Sequence, residues 1–143
     1  MTDKKLGLQR LQQLIDGADG GPMLKTMQQR VISAVAGEVV VEGTPGAQFN
    51  NHMGRIHGGY LAALIDTAMG CAVASKFDDF AGFGTVDLNV KYVRKFEVST
   101  GPVYAAARVL HAGRTMYTVE CKVADKAGVL YAHGQGTFLF YPK

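Results

Sequence analysis

The sequence predicts an α+β domain in which an antiparallel sheet wraps a single buried helix. Three observations carry that expectation. Residues 57 to 75 are apolar or small on every side of a helix, the pattern of a helix buried all round. Four β-rich runs separated by short turns follow it. The chain has 143 residues, 48% hydrophobic and 19% charged, which suits one core and leaves no room for a second domain.

Taken in order, Leu8, Leu11, Leu14 and Ile15 recur at helical spacing among Lys5, Arg10, Gln12 and Gln13. This predicts an amphipathic helix over 4–16, stopped by Gly17 and the Gly20-Gly21-Pro22 breaker, within a helical extension 1–25 of a single domain 1–143. Between Gln29 and Thr44 the β-branched Val31, Ile32, Val35, Val39, Val40 and Val41 flank Gly37, which reads as two strands or one bulged strand. Gly43 to Ile56, with Asn50 and Asn51, has loop chemistry. In the helix 57–75, Leu61, Leu64, Ile65, Ala68 and Ala72 form one apolar face. Ala62, Ala63, Gly70, Val73 and Ala74 keep the opposite side small. The strand-like runs are Gly84–Val93, Val103–His111, Arg114–Ala124 and Val129–Tyr141. Their junctions, Gly101-Pro102, Ala112-Gly113 and Asp125 to Gly128, are short enough to join antiparallel neighbours, so a four-strand meander is expected.

Composition narrows the function classes. Fifteen Lys and Arg against 12 Asp and Glu leave +3, a mild attraction for an anionic small molecule without the basic blocks of a nucleic-acid binder. Cys71 and Cys121 have neither zinc nor redox spacing and read as buried, reduced thiols, so no metal is expected. The first ten residues have no apolar run of signal-peptide length, and the stretch Gly58–Ser75 carries Asp66 at its centre. A cytoplasmic protein without a membrane span is the expectation.

Asp66 is the only ionisable side chain between Gly58 and Ser75. A carboxylate in an apolar helix costs several kcal/mol unless it is paired, protonated or open to a cleft. It is either a structural Asp bonded to a neighbouring loop or a base or nucleophile tuned by its surroundings. At the start of the same helix, Gly58-Gly59 offers unpartnered N–H groups at the positive end of the helix dipole. That corner is either an oxyanion hole or a tight loop-to-helix junction. His57 suits a helix cap better than a catalytic base, since no Ser or Cys nucleophile adjoins it in sequence. Asn51 either orients water or substrate or holds a turn. Gly58 and Asp66 lie about 12 Å apart along one helix, too far for one small carbonyl to touch both. Two such helices running antiparallel about a two-fold axis bring the glycine end of one near the aspartate of the other.

Asn51-His-Met-Gly54-Arg-Ile-His57-Gly58-Gly59 followed by Leu64-Ile-Asp66 resembles the hotdog-fold acyl-CoA thioesterases of the phenylacetate-pathway (PaaI-like) branch. The likeness extends through Thr85-Val-Asp87-Leu-Asn89-Val-Lys-Tyr92, Gly113-Arg-Thr115 and Ala132-His-Gly134-Gln-Gly136-Thr137, covering most of 30–140. The resemblance implies a sheet of about six strands round a central helix, dimers or dimers of dimers, and hydrolysis of acyl-CoA at the subunit interface without metal or other cofactor. It also implies that the Gly58 amide polarises the thioester carbonyl. Asn51 would place water or substrate, and Asp66 of the partner chain would activate water or attack directly. Thr85 would assist the partner's aspartate, keeping a hydroxyl at that position, while Gly59 beside Gly58 allows, by its lack of a side chain, close approach of a substrate oxygen. Tyr92, Gly113, Arg114 and Thr115 fall where members of the family contact coenzyme A. A non-catalytic acyl-CoA sensing module and a dehydratase of the same fold are the rival readings. Retention of Asp66 argues against the first, and the Asn51, His57-Gly58 and Asp66 arrangement suits hydrolysis better than the second.

Overall fold

Alternating burial along the central strands sets the architecture. In β2 (Glu38–Gly43), β4 (Val103–Ala112) and β5 (Met116–Asp125), the residues Val39, Val41, Val103, Ala105, Ala107, Val119, Cys121 and Val123 are buried while most residues between them are exposed or half-exposed. That is the period-two pattern of a sheet covered on one face. The computed structural model describes residues 6–77 and 82–141. The cover is α3 (Gly58–Ala74), with Tyr60, Leu61, Leu64, Ile65, Ala68, Met69, Ala72 and Val73 buried in the shared core. Leu64 and Ile65 are both 0% exposed, and sealing each contributes roughly 1.5–3 kcal/mol.

With β1 (Gln29–Val35), β3 (Phe83–Tyr92) and β6 (Leu130–Phe140), the sheet has six antiparallel strands in the order β1-β2-β4-β5-β6-β3. The α+β class and the four later strands agree with the sequence reading. The Val-rich segment 29–44 is two strands, and the first carries a bulge between Val31 and Ser33. They join through Ala36-Gly37, where Gly37 takes φ 83°.

Two expectations need correcting. The four strands are not one meander, because β3 pairs with β6 at the sheet edge and not with β4. Gly101-Pro102 therefore ends a crossover, residues 93–102, instead of making a turn. This crossover buries Phe96, whose carbonyl accepts from Ile56 N at 2.9 Å, and includes a 3-10 turn at Val98–Thr100. Second, α3 is not buried all round. Ala62, Ala63, Asp66, Thr67, Gly70 and Cys71 stay half-exposed on the side away from the sheet, so Cys71 is only half-buried. The first helix does end before Gly20-Gly21-Pro22, and a short further helix follows, α2 (Pro22–Thr26), in which Pro22 occupies the first turn, where its missing N–H costs nothing.

The expected N-terminal helix is α1 (Leu6–Ile15); Lys4 and Lys5 lie outside the described residues. Gly7 N donates to Phe77 O at 3.1 Å, and a Cβ at Gly7 would strike the Ala74 carbonyl, so glycine permits α1 to close on the end of α3. That end is also tied to the β1–β2 turn through Ser75, whose hydroxyl donates to Ala72 O at 2.6 Å and accepts from Gly37 N at 2.8 Å. No described helix is long and apolar enough to cross a membrane.

Candidate active site

Asp66 lies just over two turns into α3, on the half-exposed side. Thr85, on the facing edge strand, donates its Oγ1 hydrogen to Asp66 Oδ1 at 2.8 Å. A bulge between Thr85 and Asp87 interrupts the pairing of β3 with β6 beside this contact, the kind of irregularity that re-aims a side chain. The carboxylate is thus hydrogen-bonded and open to solvent, which removes most of the burial cost that an apolar helix suggested. The hydroxyl occupies one oxygen and leaves Oδ2 without a partner among the described residues.

The other feature sits at the helix start. His57 is the N-cap, with φ −58° and ψ 137°, and its Nδ1 accepts from Gly59 N at 2.8 Å. An accepting Nδ1 is unprotonated, so the neutral ring carries its hydrogen on Nε2. Any Cβ at Gly59 would lie 2.9 Å from that Nδ1, so glycine is what permits the cap. Gly59 therefore spends its N–H on His57, whereas the Gly58 N–H has no acceptor among the described residues. Tyr92 holds the next peptide, Gly58–Gly59: its hydroxyl donates to Gly58 O at 2.7 Å, and a Cβ at Gly58 would lie 3.2 Å from its ring.

Asn51 serves the loop before α3. Its Oδ1 accepts from Met53 N at 2.9 Å and Arg55 N at 3.2 Å, an Asx-type turn that fixes the amide's orientation. Nδ2, with two donors, makes no hydrogen bond among the described residues. Gly113, Arg114 and Thr115 form the β4–β5 turn, closed by Gly113 N to Met116 O at 2.9 Å and by Phe140 N to Thr115 O at 3.0 Å. Arg114 is exposed there.

The strand register shows which residues come together. Thr85 pairs with Phe138, Phe138 with Tyr117, and Tyr117 with Ala112, so the Gly113–Thr115 turn shares one end of the sheet with Asp66. Tyr92 pairs with Ala132 and Ala132 with Val123, placing the Gly58 corner at the other end. Within one chain the carboxylate and the free N–H thus lie at opposite ends of β3. Sequence reasoning missed the hydrogen bond from Thr67 Oγ1 to Gln29 Oε1 at 2.9 Å, which ties β1 to the residue after Asp66. It joins positions 38 residues apart, and nothing local announces it. Among the described residues, no cluster of three or more His, Cys, Asp or Glu is placed to hold a metal.

A family described as the thioesterase superfamily matches residues 53–132, a stretch that holds His57, Gly58, Asp66, Thr85, Tyr92 and the Gly113–Thr115 turn. A putative esterase of Halobacterium salinarum is 39% identical over 93 residues, which span 59% of this chain and 60% of that relative's length. Human acyl-coenzyme A thioesterase 13 is 29% identical over 108 residues, 75% of this chain and 76% of its own. Among solved structures, a conserved protein of Pseudomonas aeruginosa superposes with a TM-score of 0.79 at 33% identity, over 85% of this chain and 94% of the other. The PaaI protein of the Escherichia coli phenylacetic acid degradation operon has the same fold, with a TM-score of 0.82 at 21% identity over 97% and 96% of the two chains.

Proposed function

The chain belongs to the thioesterase superfamily and has the hotdog fold, and from that premise we propose that it hydrolyses an aryl- or fatty acyl-CoA to the free acid and coenzyme A. The observation that carries this reading is the Asp66–Thr85 pair: a carboxylate aligned by a hydroxyl, with its second oxygen free, on an otherwise apolar helix. In the proposed reaction the thioester carbonyl oxygen accepts from Gly58 N–H. Asp66 of the facing subunit takes a proton from water as the water oxygen bonds to the carbonyl carbon. Collapse of the tetrahedral intermediate breaks the C–S bond, and the proton returns to the coenzyme A sulfur. The alternative first step, direct attack by Asp66 to give an anhydride that water then opens, uses the same atoms. A single oxyanion donor of this type is worth about 10²–10³ in turnover. His57 contributes by taking up Gly59, which keeps Gly58 as the available donor. Asn51 Nδ2 places water or substrate, Gly59 provides space, and Gly113, Arg114 and Thr115 meet coenzyme A.

A second copy is needed to unite the base with the donor. The carboxylate and the free N–H both lie along β3, which among the described residues has no strand on its outer edge and whose Val86 and Leu88 are 55% and 36% exposed. An uncovered apolar edge invites pairing. Antiparallel pairing of two β3 strands about a two-fold axis near their middle sets the Thr85 end of one chain against the Tyr92 end of the other. The assembly is then a homodimer, alone or doubled as a dimer of dimers.

Incubation with a panel of acyl-CoAs tests the reading through free thiol. Thiol release is expected; addition or loss of water without thiol means a dehydratase, and tight binding without turnover means a sensor. Tyr92→Phe probes the oxyanion corner more finely. Losing one hydrogen bond of about 1 kcal/mol should lower kcat about fivefold with KM nearly unchanged. An unchanged kcat in the folded variant would show that this hydroxyl, through the Gly58 carbonyl, does not position Gly58 and its N–H.

A further inference from the structure

A cleft of about 410 Å³ opens between α3 and the α1–α2 segment, and Asp66 and Thr85 form part of its wall. The rest of that wall is mainly apolar, with Leu14 and Leu24 contributed by α1 and α2 and Phe138 by β6. Its volume lies in the range of small-ligand sites. We propose that this cleft houses the acyl group of the substrate and that Leu14 and Leu24 set which acyl groups are accepted, aryl and medium-chain ones being favoured. The proposal rests on the thioesterase reading above.

Gly70 supplies an independent observation. It lies one turn beyond Asp66 on the same face of α3. Glycine inside a helix is about 1 kcal/mol worse than alanine and needs a reason. Packing is the reason at Gly136, where a Cβ would lie 2.8 Å from Met69 Cε, and at Gly134, where it would strike the Asn89 carbonyl. At Gly70 a Cβ would meet only the Phe138 ring, at 3.8 Å, so no contact among the described residues requires the missing side chain. The missing side chain leaves space beside the reacting carboxylate, and the open space belongs to the cleft. The leucines opposite it come from residues outside the matched segment 53–132, so this wall is not part of what the family match covers.

The test compares kcat/KM, by thiol release, for acetyl-, butanoyl-, octanoyl-, hexadecanoyl- and phenylacetyl-CoA in wild type, Gly70→Leu and Leu24→Ala. In wild type, octanoyl- and phenylacetyl-CoA should exceed acetyl-CoA by at least about a hundredfold, since each methylene in an apolar pocket is worth about tenfold or more. Gly70→Leu should shrink that preference at least about tenfold by filling the cleft, and Leu24→Ala should shift the optimum towards longer chains. If Gly70→Leu does not fold, Leu24→Ala decides by the same criterion. Thiol release with a flat wild-type profile, or with variant profiles that superimpose on the wild type's, overturns the pocket assignment and leaves the thioesterase reading standing. No thiol release by wild type from any acyl-CoA overturns both.

Discussion

Asp66→Asn should fold and assemble like the wild type while releasing thiol about 10²–10⁴ times more slowly, the usual weight of a general base. Asparagine keeps an oxygen able to accept from Thr85 Oγ1, whose bond to Asp66 is 2.8 Å, so the local geometry survives. Only the basic oxygen is lost. A carboxylate sealed in an apolar helix would make the same substitution stabilising, because the desolvation cost would leave with the charge. The structure gives a different expectation. Asp66 is half-exposed and hydrogen-bonded, so the stability change should stay within about 1 kcal/mol. Thiol-release rates and denaturation midpoints measured on one preparation check both parts. Turnover within a few-fold of wild type in the folded variant would remove Asp66 from the mechanism.

Local periodicity made most elements readable. Leu8 to Ile15 marked α1, the all-apolar run marked α3, and β-rich runs bounded by turn residues marked the strands, because each pattern follows from the geometry of one segment. Strand order is a long-range property, and the place of β3 beside β6 left no local trace; the glycine and proline before β4 imitated a turn. For the same reason, the half-open face of α3 could not be told from a buried one, since small residues suit both. The His57 cap followed from residue types and helix physics, which also singled out Asp66 and the Gly58 corner while leaving a structural role open for each. Family resemblance set Thr85 beside the partner's aspartate, whereas Thr85 bonds Asp66 of its own chain, and the hold of Tyr92 on Gly58 joins positions 34 residues apart that only the fold brings together. At Asn51 the turn reading holds for Oδ1, while Nδ2 makes no hydrogen bond among the described residues.

The central claim is that each working site takes its donor from one chain and its base from another, so two inactive variants should restore one another when their chains re-pair. Asp66→Ala removes the base. Gly58→Pro removes the donor at a position that accepts proline: it is the first residue of α3, and His57 already holds ψ 137°, where a residue before proline must lie. The Tyr92 ring, 3.2 Å from the new Cβ, has to give by only a few tenths of an ångström. Each variant alone should be inactive. In a mixed dimer one site carries an intact Gly58 and an intact Asp66 while the other carries both lesions. Random re-pairing of equal amounts makes half the dimers mixed, so activity should rise to about a quarter of the wild-type value under two-fold symmetry. Mass-tagged subunits establish independently that the chains exchange. Recovery to about that level is the predicted result; folded variants that demonstrably exchange chains yet stay at the background of the separate proteins would contradict the shared site.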